Sequence, residues 1–275
     1  MNILFIAVFS PQSTNNSQRD CLIELGHNVE EFNYRSIPNY NFELQKKEGY
    51  DIILIAKGSG INSYTMDALS KNNNKVIYWF PDPSSTFSPE FSMKVELSDV
   101  AYFDKIKALN MGKKVNSNCY YVCEGYDSKI DSIQDIPKEY DVSFIGNLYG
   151  SRAEVLKQIP NIQIISTAYG SLHSIEVGKT KININLCTDN CASDRIYKIL
   201  AAGGFLLTDD WEGREFTGLK DGKDLIIFNS VNDLKEKIEY YLKNEQQRIN
   251  IANRGYITNK KLNRLEWAKS ITYPN

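Results

Sequence analysis

The sequence predicts an α/β protein of two halves, each built on a parallel sheet with helices on both faces. Three observations carry that expectation. Short apolar runs alternate with helix-length segments through both halves. An acid- and turn-rich stretch, residues 124–139, separates them. Residues 193–210, SDRIYKILAAGGFLLTDD, read as an amphipathic helix that stops on a glycine pair and feeds a buried strand ending in acid.

The first half opens on a strand, residues 2–8, followed by a helix at 17–25 with Gly26 beyond its end. Strands follow at 28–32, 51–56, 75–80, 99–103 and 120–123. The second half begins with a strand at 140–145 and a helix at 151–158, then strands at 162–166 and 181–186. The helix of residues 193–210 places Ile196, Ile199, Leu200 and Gly203 at helical spacing, with Ser193 or Asp194 as its cap. Its strand, 205–208, precedes another at 224–228, and three polar helices close the chain at 231–243, 245–256 and 260–270. The expected organisation is a first domain over 1–135, a second over 136–258, and a terminal helix over 259–275 packing back on the first.

At 275 residues the chain holds one large or two medium domains. Charged residues make up 24% and hydrophobic residues 42%, the composition of a globular protein. A net charge of -2 gives no global attraction to nucleic acid or anionic membrane, though a local patch stays open. No apolar run is long enough to span a bilayer, and the start reads as a first buried strand rather than a leader, so a cytoplasmic location is expected. Cys119 with Cys123, and Cys187 with Cys191, have a spacing that zinc sites seldom use; they read as inert thiols in a reducing compartment.

In open parallel sheets, ligands sit beyond the carboxyl ends of the strands. At the first strand end of the second half, Gly146 and Gly150 would let a backbone approach a diphosphate, beside Asn147 and a helix amino terminus. Arg152 would add a bidentate phosphate contact, or is a surface residue of a plain turn. Arg195 lies in the first turn of its helix, where a cation opposes the helix dipole. An anion bound there would explain it, Arg195 steadying a leaving group's charge; an ion pair with Asp189, Asp194 or Asp209 is the alternative.

These motifs carry a resemblance. The pieces DVSFIG from Asp141, Arg152, KININL from Lys181, RIY from Arg195, AAGGFLLTD from Ala201 and FNSVNDL from Phe228 occur in one specific order. The span 141–256 resembles the carboxyl-terminal domain of CgeB-like, group 1 glycosyltransferases. The whole chain is more loosely similar to phage DNA glucosyltransferases, through IYWFPD ending at Asp82 and NRLEW from Asn263. The resemblance implies two Rossmann-like domains facing across a cleft, the glycosyltransferase B fold. It also implies a nucleotide-sugar donor in the second domain, an acceptor in the first, and DNA as one candidate acceptor. One position departs from the pattern: Lys198 stands where the family carries a ribose-binding Glu. Lysine only donates. Either Asp194, Asp209 or Asp210 takes the ribose, or Lys198 contacts phosphate, or donor binding is altered.

On the acceptor side, Asp82 follows a central strand between two prolines and is the candidate base for the acceptor's proton, or a turn cap. Ser13, Ser17 and Arg19 follow the first strand, where a loop floors a site or simply caps a helix. Glu124 to Asp127 resembles an interdomain turn and reads as a hinge. His27 reads as structural, and His173 as near the donor pocket or structural. With no Asp-x-Asp motif between apolar strands, metal-independent transfer with no cofactor is expected, Arg and Lys meeting the diphosphate. A non-catalytic nucleotide-binding relative is the alternative. A sugar-phosphate epimerase of the same fold ranks last, since it needs acids and a His that the sequence does not place.

Overall fold

The computed structural model describes residues 1–273. The chain runs through β1 (Asn2–Ala7), α1 (Thr14–Glu24), β2 (Asn28–Asn33), α2 (Tyr40–Leu44), β3 (Ile52–Ala56), α3 (Ser63–Asn72), β4 (Val76–Phe80), α4 (Pro89–Glu96), β5 (Val100–Phe103), α5 (Ile106–Gly112) and β6 (Cys119–Tyr121). It continues with β7 (Tyr140–Ile145), α6 (Arg152–Leu156), β8 (Gln163–Ile165), α7 (Ser171–Lys179), β9 (Thr180–Asn185), α8 (Asp194–Ala201), β10 (Leu206–Thr208), α9 (Arg214–Thr217) and β11 (Ile226–Ile227). Three helices follow: α10 (Val231–Lys243), α11 (Glu245–Asn259) and α12 (Arg264–Thr272). Two compact units result, Met1–Glu124 with the segment from Arg264, and Gly125–Asn263.

The first unit is a six-stranded parallel sheet in the order β2-β1-β3-β4-β5-β6. Strands β3 and β4 are buried at every residue, as expected when helices cover both faces. Alternate residues feed two cores. Leu4, Ile6, Ile53, Ile55, Tyr78 and Phe80 face one way, and Ile3, Phe5, Ile52, Leu54, Ile77 and Trp79 the other. On the second face Trp267 of α12 meets Trp79 edge to face at 5.7 Å, a pairing worth about 0.5–1.5 kcal/mol beyond its burial.

The second unit is a five-stranded parallel sheet, β11-β10-β9-β7-β8, over a core that includes Val142, Phe144, Ile182, Ile184 and Leu207. Helix α8 buries Ile196, Tyr197, Ile199 and Leu200 as its periodicity predicts. It ends in a Schellman motif. Gly203, at φ 70°, donates to Leu200 O, and Gly204 donates to Ile199 O. A Cβ on Gly204 would lie 2.6 Å from Val177, so the second glycine serves close packing.

Local differences from expectation have local causes. α1 starts at Thr14 because Ser13 Oγ accepts the Asn15 N–H, capping the helix earlier than the apolar pattern shows. The strand expected at 224–228 shrinks to two residues, since Asp224 is held by Lys220 N–H and Thr258 Oγ1. α7 lacks a strong apolar period and was not legible. Residues 125–139 form no helix and no strand beyond an isolated bridge, Tyr126 to Asn263, yet Ile133 and Ile136 lie against Gly203 and Gly178.

Strand order reverses between β1 and β3 in the first unit and between β7 and β9 in the second. These are the places where a sheet of this kind opens a crevice for ligands.

Candidate functional site

The crevice at the ends of β7 and β9 is built around two arginines. Arg195, in the first turn of α8, donates from Nε to Ile145 O at 2.6 Å and from Nη1 to Asn185 Oδ1 at 2.9 Å. Its guanidinium lies 4.8 Å from the Phe144 ring centroid. Among the described residues, main-chain and amide oxygens orient Arg195, and Asp194 acts on it only through its charge. Three of its five N–H groups therefore stay uncommitted among the described residues. Burial, with Arg152 beside it, pushes the Arg195 pKa below the usual value, and Asp194 opposes them.

Arg152 is 4% exposed, so it is no surface residue of a plain turn, and it braces the site. Its Nε and Nη2 donate to Leu186 O, Nη2 also to Thr188 Oγ1, and Nη1 to Asn147 O. Tyr149 covers it at 4.3 Å. Four N–H groups are used in tying the loop after β7 to the loop after β9, too many for the two-pronged contact expected. Gly146 is corrected. A Cβ there would lie 2.4 Å from Arg195 Nη2, so the glycine makes room for the guanidinium rather than for a ligand's backbone approach. Gly150 does face open space. Asn147 is exposed and contributes its carbonyl to Arg152.

The amino end of α8 completes the crevice. Ser193 stands at its cap position but makes no side-chain cap; its Oγ donates to Asn185 Oδ1 at 3.3 Å. Ser193 thus gives the first turn no side-chain oxygen, beside a cation. Lys198 Nζ lies 4.0 Å from Asp194 Oδ2, and both side chains are partly exposed. His173 of α7 is buried at 4% exposure next to this group, with neither ring nitrogen hydrogen-bonded. Burial, then Lys198, with Arg195 adding and Asp194 opposing, hold it neutral with a pKa of about 3.

Asp209 and Asp210, offered as ribose ligands, already have partners within the protein. Asp209 accepts the Cys187 N–H at 2.8 Å, and burial raises its pKa. Asp210 is locked to Arg214 at 2.7 Å. Asn185, which orients Arg195 and Ser193, was missed; its signal was a second amide, after Asn183, in a strand buried at nearly every residue.

In the first unit, Lys57, Asp82 and Asp104 leave the ends of three adjacent strands, Phe80 pairing with Phe103 in register. Asp82 forms an ion pair with Lys57, and Asp104 one with Lys105. Burial raises the Asp104 pKa to about 6, against the pull of Lys105 and helped by Asp82. Asp104 was not foreseen, although it too follows a buried strand directly. Ser13 caps α1, and Ser17 is buried with its hydroxyl unpartnered. Arg19, expected toward a cleft, is corrected: it pairs with Asp20 and Glu31. His27 packs against Tyr273 at 5.6 Å and is structural. The five cysteines are thiols, not disulfides, and burial raises the Cys119 thiol to about 11, out of the reactive range. In α12, Arg264 is buried and Lys269 pairs with Glu266. No helix among the described residues is long and apolar enough to cross a membrane.

Comparison with known proteins agrees with this architecture. The chain superposes on HepE of Anabaena, crystallised with UDP and glucose, at a TM-score of 0.71 and 12% identity over 98% of both chains. It matches sucrose-phosphate synthase of Thermosynechococcus elongatus at 0.71 and 10% identity, over 98% of this chain and 96% of that one. The UDP-GlcNAc 2-epimerase of Neisseria meningitidis, bound to UDP-GlcNAc, matches at 0.62 and 11% identity over the whole of both. At such identities the likeness establishes the fold: two Rossmann-like domains of the glycosyltransferase B type. No curated protein matches the chain in sequence. Residues 130–268, just over half of the chain, match the family described as glycosyl transferase-like, and they enclose the whole Arg195 crevice. The chain belongs to the glycosyl transferase-like family.

Proposed function

We propose that this protein transfers a sugar from a nucleoside-diphosphate sugar to a hydroxyl acceptor. The observation that carries the reading is Arg195: a guanidinium with N–H groups to spare among the described residues, beside a second buried arginine and at a helix amino terminus that the Ser193 side chain does not cap. That combination suits a dianion. The diphosphate sits on Arg195 and the first turn of α8, with Lys198 as a further cation. Asp194 accepts ribose hydroxyls, in place of Asp209 and Asp210, which are engaged elsewhere. In the transfer step the bond from the anomeric carbon to the diphosphate oxygen breaks and the acceptor oxygen bonds that carbon. Asp82 takes the acceptor's proton, and Arg195 meets the charge developing on the leaving nucleotide. UDP-bound neighbours support a uridine nucleotide as donor. Sugar acceptors are favoured over DNA, because Arg264 is buried and Lys269 is paired.

Turnover tests this. Nucleoside diphosphate release from UDP-sugars, with saccharide or DNA acceptors or water alone, is expected in the wild type. It should fall about 100-fold or more in Asp82→Asn, the scale of a lost general base. Nucleotide binding with no release under any of these conditions would leave a binding protein of this fold, and the transferase reading would be abandoned.

A further inference from the structure

The face of the first sheet that carries Trp79 is covered by α1 and α12 and left open toward β6. There a cavity of about 480 Å³ opens, lined by Lys75, Asp99, Tyr102, Asn118, Tyr120 and Tyr273, with Val100 and Ser270 in its wall. Lys75, Asp99 and Asn118 immediately precede β4, β5 and β6, so the cavity lies at the amino ends of these strands, opposite the end that carries Asp82. Strand rise alone, about 3.3 Å per residue, puts the two ends well over one sugar length apart. The cavity therefore takes no part in the transfer step.

We propose that this cavity is a second carbohydrate site, which holds a neutral saccharide away from the reacting centre. Its size falls within the roughly 300–1,000 Å³ of small-molecule sites. Its chemistry is that of a sugar. Tyr120 and Tyr273 are 51% and 56% exposed, large ring faces at the rim that suit the C–H faces of a pyranose. The polar lining mixes donors and acceptors, as hydroxyls require: an ammonium that makes no ion pair among the described residues, a carboxylate and an amide. Lys75 and Asp99 offset each other in charge, which disfavours an anionic ligand such as a nucleotide. The Tyr102 and Tyr120 rings stand 6.1 Å apart and are inclined at 40°, leaving no parallel slot for a base.

The lining is also held in place. Asp99 Oδ2 accepts the Val76 N–H at 2.7 Å, Asn118 Nδ2 donates to Asp99 O at 3.2 Å, and the Tyr102 hydroxyl donates to Ser270 O at 3.1 Å. Polar groups fixed in this way lose little freedom on binding.

Saturation-transfer NMR and calorimetry with two neutral glucose oligosaccharides, maltopentaose and cellopentaose, test the site on the full chain. At least one is expected to bind. Tyr120→Ala and Tyr273→Ala should each weaken it about tenfold, equivalent to about 1.4 kcal/mol, with UDP affinity unchanged. Should Tyr120→Ala not fold, Tyr273→Ala, at the rim, decides. Absence of binding by both oligosaccharides, or equal affinity in every folded variant, overturns the proposal. UDP binding in the same samples reports separately on the donor crevice.

Discussion

Arg195 and Gly146 act as a pair. The guanidinium reaches the strand ends only because position 146, at φ 145°, carries no Cβ. Gly146→Ala is expected to cost roughly 1–3 kcal/mol of stability through backbone strain and to displace Arg195. UDP affinity should then fall with it; calorimetry that finds affinity intact would separate Arg195 from the donor. His173 makes a different prediction. Its folded pKa of about 3 lies below the ordinary value of about 6.5. Between these values the unfolded chain binds the extra proton, so the contribution to stability is full above about pH 6.5 and is lost as pH falls toward 3. The urea midpoint should drop between pH 7.5 and pH 5 in the wild type and drop less in His173→Leu; equal slopes would refute this. Arg195 was legible in the sequence as a cation misplaced on a helix dipole. Its partners Ile145 O and Asn185 were not, because they come from strands 50 and 10 residues away in the chain.

Among the elements, α8 and α11 show how the donor crevice is supported from behind. Gly255 of α11 comes so close that an added Cβ would lie 2.2 Å from Asp224 O and 2.9 Å from Leu200 of α8. The backbone oxygen cannot swing aside as a side chain can. Gly255→Ala is therefore expected to destabilise the second unit by about 1–3 kcal/mol, the scale of an overpacked core, measurable by thermal or urea unfolding. A neutral substitution would mean that α11 is free to slide. Apolar period and glycine signals gave α8, α10 and every strand of the first sheet to within a residue or two. They failed for α7, whose helix forms on tertiary contacts rather than on its own periodicity, and for the start of α12, because α11 continues to Asn259. Strand order was not legible either, since register between parallel strands depends on crossovers that a single sequence does not display.

At the scale of the molecule, every residue assigned to the donor lies within the second compact unit. A nucleotide at about 100 times its Kd stabilises the native state by roughly 2.7 kcal/mol. Hydrogen exchange should show that protection in β7, β9 and α8, with β1 to β5 little changed; uniform protection would place the ligand elsewhere. The broad class follows from composition and alternating elements; the ordered motifs of the second half led to the glycosyl transferase-like family but not to the narrower CgeB-like or phage likeness. The choice among transferase, epimerase and binding protein rests on side chains, because all share this frame. The most direct measurement is a calorimetric titration of nucleoside diphosphates and UDP-sugars into the wild type, Arg195→Ala and Arg152→Ala. The account predicts a saturable, base-selective signal. It should weaken about 100-fold or more, about 2.7 kcal/mol, when Arg195 is lost. Arg152→Ala should act mainly by loosening the fold. No binding by the wild type, or binding that Arg195→Ala leaves unchanged, would contradict the donor site itself.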